Sequence, residues 1–315
     1  MIRNERLEAI QQEIGKVLLG KETATELIMI ALLCKGHVLL EDVPGTGKTL
    51  LAKSIAKSID GAFRRIQFTP DVLPGDVTGI EFFNPKEQTF ELRPGPLLTN
   101  VLLADEINRA TPKTQSSLLE AMEEGQVTIE GKTMQIQSPF MVIATQNPIE
   151  SHGTFPLPEA QLDRFLLQLR TGYPSREEEK QLLARYRKAE PFETLTPVLS
   201  LDDITEMQHE VREVTIAEEI KDYMLDIVQA TRASEMISVG VSPRGTLALM
   251  RCVQAKAWTQ GRGYAIPEDV KSLAPHVLTH RIVLSLEGEM RKSKHELFQE
   301  LLEGIEVPVE AGAEQ

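Results

Sequence analysis

Short strands that are apolar on both faces, separated by amphipathic helices, constrain this chain more than any other feature. HVLLE (37–41), VLLADE (101–106) and FMVIATQN (140–147) carry almost no polar side chain until their last positions. A strand with one wet face alternates; a strand apolar throughout is covered on both faces. FRRIQF (63–68) and RFLLQLR (164–170) continue the series. Between the strands, GKTLLAKSIAKSI (47–59) sets Leu50, Leu51, Ile55 and Ile59 on a helical stripe. TPKTQSSLLEAMEEG (111–125) opens with Pro112 and closes with Gly125, the asymmetry of a helix start and stop. The pattern predicts an α/β fold: a parallel five-stranded αβα core.

Two stretches interrupt that rhythm. Residues 77–100 hold GIEFFNPKEQTFELRPG, and residues 126–138 hold QVTIEGKTMQIQS. Each alternates apolar and polar residues around a turn signal, Asn84-Pro85 or Gly131, and predicts a β-hairpin inserted into the core. After GYPSREEE (172–179) the strand pattern stops. AEEIKDYMLDIVQATR, TLALMRCVQAKAWTQG and PEDVKSLAPHVLTHRI each read as a helix, and Ile220, Met224 and Ile227 form one stripe. The expected organisation is an αβα domain over 1–172, an all-α domain over 173–305 and a flexible tail over 306–315.

Composition narrows the partners. The 315 residues carry a net charge of −13, with Lys and Arg dispersed and no basic run. The long-range field therefore opposes nucleic acid and anionic membranes. Cys34 and Cys252 fall inside apolar helical patterns and read as small core residues. No signal-peptide pattern stands at the N-terminus, and LIMIALLCKGHVLL is too short and too interrupted to span a bilayer. The expectation is a cytoplasmic protein.

The chemistry begins after the first strand. LLEDVPGTGKTLLA (39–52) ends its turn in Gly47-Lys48-Thr49, the close of a phosphate-binding loop, with Asp42 where the strict pattern has its first glycine. An anion cradle needs converging backbone N–H groups at a helix start. Gly45 and Gly47 permit the required backbone, Lys48 can reach the β- and γ-phosphates, and the Thr49 hydroxyl can ligate Mg2+. The competing reading is a glycine turn that binds nothing. Strand, glycine loop and helix in that order favour the cradle. Asp105 and Glu106 end the VLLADE strand. Asp105 suits a metal held through water, and Glu106 suits a general base beside the γ-phosphate. A charge pair at a helix start is the alternative for these two acids.

Here the sequence resembles a known family. LLEDVPGTGKT, TPDVLPGDVTG, GPLLTNVLLADEINRATPKTQSSLLEAMEEGQVTI, ATQNP and GTFPLPEAQLDRF look like the MoxR family of AAA+ ATPases. The resemblance runs in order from about residue 15 to 305, and it implies the helix-2-insert branch, with both hairpins. It implies ATP or ADP held by Val17, Gly20 and the loop Val43, Pro44, Gly45, Thr46, Gly47, Lys48, Thr49 and Leu50. Asn147 matches the sensor that orients water. Arg164 matches an arginine finger acting on the neighbouring subunit, a role worth on the order of a thousandfold in rate. A salt bridge from Arg164 to Asp163 or Glu159 is the alternative. Arg244 matches the second sensor, on a helical lid; a solvated residue in a first helical turn is the alternative. His152 stands where the family often has an acid, a departure in that loop and not in the ATP site. Arg109 in DEINRA faces the ATP interface or the pore, or makes a helix-entry salt bridge.

The resemblance implies an ATPase that forms a homo-oligomeric ring, hexameric as in the family. It implies chaperone-like remodelling or activation of protein partners, often through a von Willebrand factor A domain protein. A nucleic-acid motor and a chelatase-type subunit assisting metal insertion are the competing classes; the charge balance argues against the motor.

Overall fold

The computed structural model describes residues 2–41, 45–146, 153–187 and 190–308. Contacts divide the chain into two compact units, essentially residues 4–207 and 208–315.

The first unit opens with α1 (Ile2–Gly15) and α2 (Glu22–Leu33), then β1 (Val38–Glu41), α3 (Lys48–Ser58) and β2 (Phe63–Gln67). A short α4 (Pro74–Thr78) leads into β3 (Gly79–Asn84) and β4 (Thr89–Pro94). After them come β5 (Val101–Asp105), α5 (Pro112–Glu124), β6 (Gln126–Ile129), β7 (Lys132–Gln135) and β8 (Met141–Gln146). The last strand of this unit is β9 (Leu167–Leu169), reached through the single-turn α6 (Glu159–Leu162). The five-stranded sheet has the order β2-β5-β8-β1-β9, and every pairing in it is parallel. All five carboxyl ends therefore lie along one edge, where open α/β sheets bind ligands.

The sequence pattern finds its cause in burial. Val38 to Leu40, Val101 to Ala104 and Met141 to Ala144 are all 0% exposed. Each Val, Leu, Ile or Met among them gains about 1.5–3 kcal/mol over an exposed one. The edge strand β2 differs: Ile66 packs inward while Arg65 and Gln67 project to the other side, exposed. Both predicted hairpins form, β3 with β4 and β6 with β7. In the second, Ile129 pairs with Lys132, leaving Glu130 and Gly131 as a two-residue loop with φ of 47° and 80°. Two positive φ values in succession make the turn whose twist matches its strands. The Lys132 ammonium pairs with Glu81, joining one hairpin to the other.

The strands of this unit end at Leu169, but the unit continues past the expected change at 172–173. α7 (Arg176–Tyr186) begins on a Ser175–Glu178 capping box. Its Arg185 donates to the carbonyls of Gly15 and Lys16 at the end of α1. Thr196 N–H donates to Glu13 Oε1 at 2.9 Å, and Val198 N–H to Ser58 O at 2.9 Å. These bonds hold 173–207 to the α/β unit, and the division falls within α8 (Leu201–Glu210).

The second unit is helical: α9 (Glu218–Ala233), α10 (Pro243–Thr259), α11 (Pro267–Leu278), α12 (Leu286–Arg291) and α13 (Lys294–Glu303). Ile220, Met224 and Ile227 are buried, as their stripe predicts. Trp258 and Phe298 are among its largest buried side chains. Arg262 grips the carboxylate of Asp269 with two bonds, at 2.8 and 2.7 Å. One antiparallel pair, β10 (Ile237–Val239) with β11 (Val283–Leu284), went unpredicted because strands of three and two residues are too short to show a period. Among the described residues, no helix is long and apolar enough to cross a membrane.

Candidate active site

β1 delivers the chain to the glycine loop, which enters the described residues at Gly45. Gly45 has φ 85° and Gly47 φ 88°, the left-handed region where a side chain costs energy. Space does not impose the choice: a Cβ on Gly45 would meet nothing within 4 Å, and one on Gly47 would lie 3.6 Å from Cδ2 of Leu18. The backbone angle itself requires glycine. The ladder of α3 begins with Leu51 N–H donating to Gly47 O at 2.9 Å. A helix start turns its first N–H groups and the positive end of its dipole outward, which suits an anion. Lys48, Thr49 and Leu50 form that first turn, and Thr46 is buried just before it.

Two strands away, β5 ends in the acids. Thr145, on β8, accepts from the Glu106 N–H at 2.8 Å and donates to Asp105 Oδ1 at 2.7 Å. From the other side, β2 pairs in register so that Gln67 stands beside Asp105. Arg65 donates to Asp105 Oδ2 at 2.7 Å and to Gln67 Oε1 at 2.8 Å. Gln67 Nε2 then donates to Glu106 Oε2 at 3.0 Å, an oxygen that also pairs with Arg109 Nε at 3.0 Å. Glu106 has φ 58° and ψ 50°. A non-glycine residue there carries about 1–3 kcal/mol of strain and persists only when its surroundings over-determine it.

All of these groups but Thr46 and Arg109 reach one cleft of about 440 Å³. Gly45, Gly47, Lys48, Thr49 and Leu50 line one side, with Asp105 and Glu106 opposite, flanked by Arg65, Gln67 and Thr145. The donor set fits a phosphate chain with a hard divalent cation: a hydroxyl and a carboxylate face a cradle that carries a lysine. Mg2+ is held in that way, through one or two protein oxygens plus phosphate.

The expected site residues divide into three groups. Lys48, Thr49, Leu50, Gly45, Gly47, Asp105 and Glu106 come together in the cleft. Asn147, Val43 and Pro44 lie outside the described residues, as does His152. Val17, Gly20, Thr46, Arg164 and Arg244 are not among the residues that line the cleft. Val17 is buried and Gly20 has φ 67°, while Leu18 between them abuts Gly47. Arg164 Nε pairs with Glu123 Oε2 on α5 at 3.1 Å, a partner that neither the finger reading nor its salt-bridge alternative had named. Arg244 belongs to the second unit, in the first turn of α10 behind the Ser242 cap. Arg109 makes its helix-entry pair, with Glu106 itself. Arg65, Gln67 and Thr145 were not anticipated. Their signal lay in polar side chains at i and i+2 on a strand beside the acids, and it can be read only once the strand order is known.

A model of the ATPase family associated with various cellular activities matches residues 37–167, and an AAA lid domain model matches 229–301. The chain is 52% identical to the uncharacterized protein YeaC of Bacillus subtilis, over 96% of this chain and 95% of that protein. It is 41% identical to the chaperone MoxR1 of Mycobacterium tuberculosis, over 90% of this chain and 77% of that protein. A crystal structure assigned as an ATPase from Cytophaga hutchinsonii superposes with a TM-score of 0.91 at 37% identity, covering 98% of this chain and 96% of that one.

Proposed function

Because the chain belongs to the MoxR family of AAA+ ATPases and is an ATP-hydrolysing enzyme, we propose that it works as a homo-oligomeric ring in which Mg-ATP hydrolysis drives chaperone-like remodelling of a protein partner. The observation that carries this reading is the convergence of Lys48 and Thr49 with Asp105 and Glu106 on one cleft. Lys48 holds the β- and γ-phosphates. Thr49 and Asp105 would hold Mg2+, which neutralises charge on the phosphates when bound. Glu106 accepts the proton of the attacking water: Gln67 and Arg109 engage Oε2 and leave Oε1 for that proton. Asn147 orients the water.

Arg164 acts on the nucleotide of the neighbouring subunit, which its absence from the lining of its own cleft supports. That requires a heterologous interface, which closes here into a ring, six-membered as in the family. Arg244 couples nucleotide state to the lid. The name of the mycobacterial relative, a chaperone, supports a protein substrate, and a von Willebrand factor A domain protein is the partner class we propose.

The test is Glu106→Gln, which keeps ATP bound. Light scattering with Mg-ATP gives several times the 35.2 kDa chain mass, and the trapped ring retains a protein partner on a pull-down. A species that stays at the mass of one chain with nucleotide bound contradicts the ring.

A further inference from the structure

We propose that Gln115 is a positioning residue for hydrolysis, clamping the left-handed turn that carries Glu106 to the segment leading into Arg164. The inference rests on Glu106 acting as the general base. Gln115 lies in the first turn of α5 and is 0% exposed. Its Nε2 donates to Ile107 O at 3.1 Å and to Phe155 O at 2.9 Å. Phe155 N–H donates to Asn108 O at 2.6 Å. One planar amide and one backbone bond thus join the turn after Glu106 to the stretch that continues through buried Leu157 into α6 and Arg164.

Among the described residues, Gln115 Oε1 has no hydrogen-bond partner, and neither has Asn108 Oδ1. The two donors satisfy Phe155 O and, beside the Ala110 N–H at 3.1 Å, Ile107 O, so an apolar side chain of the same length would leave the Phe155 carbonyl short of its bond. What the amide contributes is geometric: two donors on one rigid group fix Ile107 O against Phe155 O.

That geometry bears on the base. The N-terminal side of Glu106 is held by Thr145 Oγ1. On the C-terminal side, Arg109 N–H donates to Glu106 O at 2.9 Å, closing the turn, and Gln115 holds the next carbonyl. A left-handed glutamate keeps its aim only while both sides are held. Without Gln115 the turn keeps its own backbone bonds, Arg109 N–H to Glu106 O and Ala110 N–H to Ile107 O, but loses its side-chain tie to the Phe155 segment, and the aim of the carboxylate shifts with it.

The test compares Gln115→Met with wild type. The substitution keeps length and removes both donors. Turnover should fall roughly ten- to a hundredfold, the scale for about 1 Å of misplacement of a reacting group. The KM for ATP and the Kd for a fluorescent ATP analogue should stay within about twofold, the pattern of an interaction that matters only in the transition state. In Gln115→Glu the introduced carboxyl donates only when protonated, so its kcat relative to wild type should rise as pH is lowered across the neutral range. The idea is overturned if Gln115→Met retains wild-type kcat. It is also overturned if kcat, nucleotide affinity and thermal midpoint fall together and Gln115→Glu shows no recovery at lower pH. Glu106→Gln measured alongside separates the two assignments: wild-type turnover there removes Glu106 as base, whatever Gln115 does.

Discussion

Arg65 donates to Oδ2 of Asp105 across 2.7 Å, placing a fixed positive charge on the carboxylate proposed to hold Mg2+. The guanidinium is 45% exposed and the carboxylate 13%, so solvent screens much of their attraction. Arg65 therefore competes with the metal, but weakly.

Arg65→Met should lower the Mg2+ concentration for half-maximal ATPase about two- to fivefold, the range for a solvent-screened ion pair of up to about 1 kcal/mol. Titrating Mg2+ at fixed ATP measures it. A requirement that rises instead would mean that Arg65 positions Asp105 for the metal.

Glu106 combines strain with a charge in a crowded acidic corner. Glu106→Gly removes both at once. Its thermal midpoint should equal or exceed that of wild type, because a left-handed non-glycine residue costs about 1–3 kcal/mol. Its turnover should fall by roughly a hundredfold or more, the usual contribution of a general base. Calorimetry and an ATPase assay check the two halves. A midpoint several degrees lower would show that the Glu106 side chain supports the fold through Gln67 and Arg109.

The sheet, both hairpins and the glycine loop were legible in the sequence because each has a local signature: apolar runs, period-two alternation around a turn, and glycines ahead of Lys48. Asp105 and Glu106 were legible because they end an apolar run. Arg65 and Gln67 were not, because their meaning comes from the β2–β5 register, which pairs residues 38 apart. The Arg164–Glu123 pair joins α5 to a segment some forty residues on, and nothing near Arg164 announces it. The association of 173–207 with the α/β unit rests on a few long-range hydrogen bonds, which leave no period in the chain.

His37 shows the same limit in the core. It reads as part of a strand, yet its ring is buried between α5 and β8. Nδ1 accepts from Val142 N–H at 3.0 Å, so Nε2 carries the proton and donates to Met122 O at 2.9 Å. Burial lowers its pKa from 6.5 to about 4. In the unfolded chain the ring takes up a proton near pH 6.5; in the fold it does not until about pH 4. The unfolded state therefore binds more protons between these values, and stability rises with pH across that window and levels above it. The shift corresponds to about 3 kcal/mol. Urea unfolding at pH 7 and pH 5 reads the stability. Nitrogen-15 spectra should show His37 neutral and Nε2-protonated at pH 5, and a midpoint near 6.5 would contradict the burial argument.

In the proposed ring ATP is hydrolysed between subunits, with Lys48 and Glu106 on one side and Arg164 on the other. Arg164→Ala and Lys48→Ala should each be nearly inactive alone. Mixed in equal amounts and reassembled, they create interfaces that combine an intact Lys48 with a neighbour's intact Arg164. In a random ring these are about a quarter of all interfaces, so ATPase should recover toward that fraction of the wild-type rate. A mixture no more active than the average of its two components would contradict action between subunits.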